Sequence, residues 1–542
     1  MSRIRLPPPP RITTRAVYPY RGAVTSRASS KAELTQDQRR IVVGSSIALV
    51  GILTLAASFN YMLPDMIADL GASEEESTVM RQISSLGALL VVFLAGVLGE
   101  RLGERRVIIA TGGVFAVGSL IVTVAPNITI ASAGLLLANI GKSVMAVVGI
   151  AYVTVSIRDK AGRATAFSAV SSVQPMAYLV MPLLAGLLLL VASWRTVSLT
   201  WVLGGLAACG AAVLLFPRDA ERERLQGEML TPALAGLALA TFVDVFGTLR
   251  GEGPSTRFWI SVTVGVASVL ALVIAYRRLS NPTLSLAPLR HGGLVVLLLV
   301  VILVSFANLY YYSTLLFQIV YGYSALGAAV LMVPAQVAGI CGAVVVRKVL
   351  QRKGVTYSGT LMIGLVAVTL LLSTLLQPGS PLVLPVALVA LYGFASLGAV
   401  ITMTNAVMDL SRHGDEGDTS AYKSAASNIG LAVGVTIMSG VVAAAGYASM
   451  NAQLSEAGIP AAEASAPAWD LMYGAAPQDV ADQYGLPLDE VNQLEAMDQV
   501  AYVQAYRAHG LVGGVITMAA AGVFLAVRRR MEGNARKAAP AP

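Results

Sequence analysis

The chain has 542 residues, 56% of them hydrophobic and only 13% charged, with a mean hydropathy of +0.71. A chain of this length and apolarity is excluded from the soluble globular and disordered classes, and reads as an all-α polytopic membrane protein. The net charge of +8 points to no nucleic acid, because in such a protein lysine and arginine mark the membrane side that each short loop faces.

Residues 1–40 are basic and polar, with four consecutive prolines at 7–10. They lack the basic-then-apolar pattern of a signal peptide and are expected to form a disordered cytoplasmic tail. The first span follows Arg39 and Arg40 and runs to about Leu63. The loop holding Asp69, Glu74, Glu75 and Glu76 has no basic residue before Arg81 and is read as external. Spans two (79–99) and three (107–125) each approach the ~20 residues that ~30 Å of hydrocarbon demands. Between them lies GVLGERLGERR at 96–106. Gly96 and Gly103 are expected to let the backbones approach and turn closely, while Arg101, Arg105 and Arg106 must lie in water or at headgroups, so the turn reads as cytoplasmic.

Span four (128–157) leads to a basic link with Arg158, Lys160 and Arg163, span five (164–190) ends at Trp194 and Arg195, and span six ends near Pro217. Residues 41–217 thus form an N-terminal six-helix bundle, and 218–228 a charged cytoplasmic link. Two further apolar segments, 229–249 and 258–276, make up an accessory pair (229–276), followed by a link at 277–291. Spans at 292–317, 326–346, 357–376, 382–408, 424–445 and 511–527 complete a C-terminal bundle (292–527). The count is 14 transmembrane helices. It puts both termini in the cytoplasm, in agreement with Arg528, Arg529 and Arg530 at the start of a tail over 528–542.

An extracytoplasmic insert, 451–510, interrupts the second bundle. It is strongly acidic, and Val491, Leu494, Met497, Val500, Val503 and Ala505 recur at roughly helical spacing. It reads as a solvated helical hairpin, with a lid over the outer mouth or a partner-binding surface as alternatives.

GVLGERLGERR resembles the loop between spans two and three of the major facilitator superfamily, G-x-L-x-D-R-x-G-R-[RK]. Gly96, Leu98, Arg101, Gly103 and Arg105 match, Arg106 follows directly, and Glu100 stands in the aspartate position. Further along, Pro182, Ala185 and Gly186 with Trp194-Arg195 resemble the G-P-x-x-G-G run and W-R ending of exporters in that superfamily. SNIGLAVGVTIMSG, YGYSALGAAVLMVPA and NPTLSLAPLR resemble stretches of its fourteen-span drug/proton antiporters. The resemblance implies a major facilitator fold, with the two accessory helices outside the main bundle. It also implies a gating loop of Gly96, Glu100, Arg101, Gly103, Arg105 and Arg106, with Glu100 paired to a base such as Arg163.

The departures carry as much information. The span-one aspartate of D-x-T-I-V-N-x-A-L-P falls on Leu55, although Asn60, Leu63 and Pro64 match. The usual tryptophan and tyrosine of span two are Val79 and Ser84, and the arginine of R-x-x-Q-G in span four is Asn139. Coupling through the usual span-one acid is excluded, leaving Asp244, Asp65 and Glu100 as coupling candidates. Lys142, in mid-span four, costs ~2.5–3.5 kcal/mol unless it meets a partner or water. It is read as a cavity charge, with an internal structural pair as the alternative. Arg81, Asn139, Gln174, Asn308, Tyr310, Tyr311, Gln336, Asn405 and Asn428 are the other cavity candidates, each weak because a lone amide in a span is often helix–helix glue.

No G-x-x-x-x-G-K-[ST] is present and no ATP site or cofactor is expected; His291, His413 and His509 stand isolated at loop edges, so no metal site is expected either. The expected function is secondary transport across the cytoplasmic (inner) membrane by alternating access, most simply export of a neutral or anionic amphipathic compound, with protons as the default energy source by resemblance. The alternatives are a proton-coupled multidrug antiporter, and a lipid flippase or membrane scaffold that recruits a partner through 451–510.

Overall fold

The computed structural model describes residues 35–157, 160–217, 228–248, 256–279, 282–283, 288–411, 416–459, 467–468, 471 and 477–538. Within them every regular element is helical, as hydrocarbon requires of chain that must satisfy its backbone internally. In order these are α1 (Gln36–Asp69), α2 (Glu74–Val91), α3 (Leu94–Leu102), α4 (Glu104–Thr123), α5 (Ile128–Ser156), α6 (Lys160–Val191), α7 (Trp194–Leu215) and α8 (Leu230–Thr248). They continue as α9 (Thr256–Arg278), α10 (Gly292–Ser305), α11 (Leu309–Ile319), α12 (Ala325–Leu372), α13 (Val383–Met408), α14 (Glu416–Ala457), α15 (Pro477–Tyr484) and α16 (Leu488–Ala538). Polar residues start several of them: Thr35 with Gln38 and Ser73 with Glu76 form capping boxes, and Asn127 and Ser324 each accept a backbone N–H of the first turn.

The chain is a multi-pass integral membrane protein. Eleven helices among the described residues are long and apolar enough to cross a bilayer, rather than fourteen. Three features account for the difference. α12 passes through a kink at Gly354, where two expected spans meet, so that the two count as one long apolar helix. Val92 and Phe93 interrupt the second expected span between α2 and α3. The apolar part of α8, Leu230–Val245, is shorter than a full crossing.

Two apolar cores organise the molecule, one built by α1 to α7 around Met62, Phe115 and Trp201, the other by α10 to α14 and α16 around Leu309, Tyr506 and Phe524. The halves echo each other at the end that carries the arginine turn, here the basic end. Gly103, at φ 90°, turns α3 into α4, and Gly354, at φ 80°, turns the first half of α12 into the second. L side chains rarely adopt this backbone, which makes glycine the fitting residue at both turns. Gly96 differs from expectation: it is exposed and an added Cβ would meet nothing within 4 Å, so it mediates no close approach.

The accessory helices also differ from expectation. α8 is wedged between the halves: Ala240 and Val243 pack with Leu89 of α2 and Val433 of α14. A Cβ on Gly236 would fall 2.2 Å from the carbonyl oxygen of Leu90. Only α9 turns a broad apolar face outward, with Trp259 and Ile260 both more than half exposed.

At the other end, here the insert end, α14 and α16 run on beyond the bundle. A helix of 51 residues is ~75 Å long against ~30 Å of hydrocarbon, so its first part projects. That part packs Val491, Leu494 and Met497 against Met450 and Leu454 of α14 and Val480 of α15. The helical stretch expected in the insert is therefore continuous with the last span.

Candidate functional site

The span made by α10 and α11 is broken in the middle. Asn308 caps α11 by accepting the Tyr310 backbone N–H at 3.2 Å. The Tyr392 hydroxyl of α13 donates to the freed Ala307 carbonyl at 2.8 Å. Backbone groups that the break releases have to be satisfied locally inside a membrane, and these side chains satisfy one N–H and one carbonyl. Tyr310, just past the break, stands edge-on to Tyr392 with ring centroids 5.1 Å apart.

Around this break tyrosines converge from both halves. The Tyr61 hydroxyl of α1 is directed at Thr314 of α11, and Tyr178 of α6 lies within electrostatic reach of Tyr310. Tyr310 itself is directed at Ser396 of α13. Counted along their helices at ~1.5 Å per residue, these tyrosines lie roughly 12–20 Å below the insert end, near mid-depth. Tyrosine joins an apolar ring to a polar tip, so the cluster brings apolar rings and hydroxyls together where the halves meet. Tyr61, Tyr178 and Tyr392 were not legible as site residues, because each is a single tyrosine in an apolar run. Tyr311 packs against both cores and so sits on the interface of the halves.

Lys142 lies midway along α5, partly buried, at a depth close to that of Tyr178. No ion pair or hydrogen bond holds it among the described residues, so the alternative of an internal pair finds no partner there. Asn139, one turn away, is buried and donates to Ser84 Oγ and to the Leu135 carbonyl, each at 2.9 Å. Two of the positions that depart from the exporter pattern are thus bonded to each other, tying α2 to α5. Asn405 is exposed and donates to Ile401 O of its own helix at 2.8 Å. Gln174 is exposed, and Gln336 and Asn428 are partly buried; these four are not brought to the tyrosines by any described bond. The side chains of Arg81, Glu100 and Arg163 lie outside the described residues, and the Glu100–Arg163 pairing with them.

Asp244 is buried between the accessory helices, where it accepts from Arg257 and, at 2.5 Å, from Ser261 Oγ of α9. This is an ion pair within the accessory hairpin. An apolar groove of about 330 Å³ beside it, lined by Phe242, Val266 and Leu270, opens on the exposed face of the same hairpin. Asp65 is exposed near the insert end of α1. In the arginine turn, Arg105 donates to the Ala212 and Val213 carbonyls at 3.0 and 2.9 Å, a cation on the C-terminal end of α7 that braces the first half. Arg101 and Arg106 are exposed.

The halves meet at the insert end through the exporter-like run of α6. A Cβ on Gly186 would lie 2.5 Å from Leu326 Cα, at the start of α12; Pro182 and Ala185 are buried beside it. Nearby, Asp69 accepts from Trp194 Nε1 at 3.0 Å and pairs with Arg195, which stacks over the Trp194 ring and locks α1 to α7.

A family model described as Major Facilitator Superfamily matches residues 45–435. Among curated relatives, the "Major facilitator superfamily multidrug transporter mfsC" of Aspergillus fumigatus is 25% identical over 293 residues, 53% of this chain and 56% of that protein. The "Methylenomycin A resistance protein" of Bacillus subtilis is 23% identical over 415 residues, 72% of this chain and 87% of that one. The chain spans about half the length of mfsC, and similarly 57% of the "Uncharacterized MFS-type transporter EfpA" of Mycobacterium tuberculosis. Among solved structures, a POT family peptide transporter aligns with a TM-score of 0.58 over 92% of this chain and 97% of that chain at 14% identity. The nucleoside transporter NupG aligns with 0.56 over 91% and 99% at 11% identity. At these identities the structural likeness concerns the fold.

Proposed function

Since the chain belongs to the Major Facilitator Superfamily, we propose that it is a secondary transporter that exports neutral or anionic amphipathic compounds by alternating access across the cytoplasmic membrane. The observation that carries the substrate class is Lys142, a mid-depth cation to which no described carboxylate is bonded, in a chain whose span-one acid position is Leu55. A cation without a protein partner at that depth is an expensive feature unless an anionic or polar group meets it. The tyrosine cluster supplies the amphipathic wall.

In this reading the chain crosses the membrane fourteen times, with Gly354 dividing α12 into two crossings and α2 with α3 forming one. The basic end faces the cytoplasm, together with both termini, and 451–510 stands outside. Residues 41–217 and 292–527 are the two moving bundles and 229–276 the accessory hairpin at their seam. Contact between Gly186 and Leu326 at the insert end makes the conformation described one that is closed outward.

The test is flux in sealed proteoliposomes under an imposed pH gradient, with lipophilic cations, neutral amphiphiles and organic anions as substrates. Gradient-driven flux of anions or neutral amphiphiles that is lost in Lys142→Ala and kept in Lys142→Arg is the expected result; flux untouched by Lys142→Ala refutes the charge assignment. A second reading, a proton-coupled multidrug antiporter, draws on the similarity to mfsC and to the "Multidrug resistance protein MdtL" of Escherichia coli, 28% identical over 153 residues, 28% of this chain and 38% of that protein. Cation flux that survives Lys142→Ala favours it.

A further inference from the structure

His509 does not stand at a loop edge as the sequence suggests. It is fully buried on α16, its ring 4.3 Å from that of Tyr312 on α11. Neither Nδ1 nor Nε2 has a hydrogen-bond partner among the described residues. An imidazole always has at least one N–H to give, and a buried polar group left without a partner costs free energy in the state that buries it. A second state in which the ring is hydrated relieves that cost.

The surroundings show which motion does so. α16 is fastened to α11 on the N-terminal side of the ring, by Tyr506 Oη with Ser313 Oγ at 2.8 Å and by Tyr502 Oη on the Tyr312 carbonyl at 3.0 Å. On the other flank, Gly510 packs on Ser373 and the Leu370 carbonyl at the end of the second half of α12. Tyr312 in turn stands edge-on to Tyr311, 5.1 Å away, and Tyr311 rests on the first half's core. Parting the halves at the insert end strips Tyr311 of that cover, and Tyr312 and His509 are next in line for water. The charged groups of α16 nearby do not occupy the ring. Arg507 donates to Thr374 O at 2.8 Å and to Gln504 Oε1 at 3.1 Å, and Asp498 lies about 16 Å farther out along the helix. Of the other elements, α11 sets the Tyr312 phenol against the ring and the end of α12 sets the Ser373 hydroxyl against neighbouring Gly510; neither group carries charge near neutrality.

We propose that His509 is a proton-binding site of the outward-open state: neutral and sealed while the halves are closed at the insert end, it takes a proton from outside when they part, so that external acid holds the transporter open outward. The sign follows from solvation, because an imidazolium has two N–H groups and a charge to satisfy and the closed state offers no described acceptor. Once hydrated, the ring has a pKa of about 6.5, and below that value the open-to-closed ratio rises by up to about tenfold per pH unit.

The inference rests on the orientation proposed above and not on the substrate class. It is tested on the full chain in right-side-out and inside-out vesicles, without substrate. Leu326→Cys is introduced with Cys209→Ser and Cys341→Ser, and its labelling by a membrane-impermeant maleimide is followed as a ratio to labelling of the denatured protein, with reagent reactivity corrected at each pH from 5.5 to 7.5. The expected result is several-fold more labelling at pH 5.5 than at 7.5 with the parent histidine, and a flat profile in both His509→Phe and His509→Gln. The two variants guard against misfolding, since one keeps ring volume and the other polarity, and size-exclusion behaviour and melting temperature identify a folded sample. A pH response that persists in either folded variant overturns the proposal, as does a flat profile in the parent. A histidine-dependent response seen only in inside-out vesicles upholds the proton site and overturns the orientation.

Discussion

Gly186→Ala isolates the contact that closes the insert end. The added Cβ falls 2.5 Å from Leu326 Cα, 2.8 Å from its backbone N and 2.9 Å from its Cβ. Carbon atoms rest at ~3.5–4.0 Å, so relief requires ~1 Å or more of separation between α6 and α12. Backbone atoms cannot rotate aside as a flexible side chain would, and overpacking of this kind costs ~1–3 kcal/mol. The cost falls on the closed state alone, because the two surfaces are apart in the other. The equilibrium therefore shifts toward the outward-open state by about 5–150-fold. Spin labels at Ser193 and Gln377, both exposed at the insert end, report the shift as growth of a longer-distance population. Gly96→Ala is the matched control: its Cβ meets nothing within 4 Å, and alanine is the better helix former by ~0.8–1 kcal/mol. If Gly186→Ala leaves the distance distribution as unchanged as Gly96→Ala does, steric closure at Gly186 is refuted.

Two further expectations concern carboxylates. Asp498, in the projecting part of α16, is pushed up from 3.8 to about 7 by burial and secondarily by Glu495. A raised carboxyl means that the folded chain binds more protons than the unfolded one between those values, so its contribution favours folding at low pH and is lost as pH rises through about 7. Asp498→Asn is expected to raise the melting temperature at pH 8, by relieving a penalty on the order of 4 kcal/mol at most, and to change little near pH 4; a gain that is equal at both pH values rules out the titration. Asp244→Asn leaves the Arg257 charge without its partner inside the hairpin, a loss of about 3 kcal/mol for a pair of this burial. Thermal melting is expected to fall while gradient-driven flux per folded molecule persists; uncoupled flux in a protein of unchanged stability would instead identify Asp244 as the coupling acid.

What the sequence by itself determined is what depends on neighbours along the chain. Apolar runs of spanning length, the glycine turn at Gly103 and the helical stretch of the insert are local or set by the thickness of hydrocarbon, and a single strand of letters displays them. The tertiary structure decided everything that depends on which helix face meets which. Asn139 and Ser84 read as two separate departures from an exporter pattern until α2 and α5 are side by side. Tyr61, Tyr178, Tyr310 and Tyr392 are scattered over more than 300 positions and become one cluster only because α1, α6, α11 and α13 converge at mid-depth. That Arg257 and Ser261 meet Asp244 shows only once α8 and α9 lie side by side, and His509 reads as a loop-edge residue until α11 covers it. In a membrane nearly every helix is apolar all round, so periodicity gives little sign of which face is buried. The facing is settled by shape, by small residues that let backbones approach and by the few polar groups that must find each other, and all three are properties of the assembled bundle.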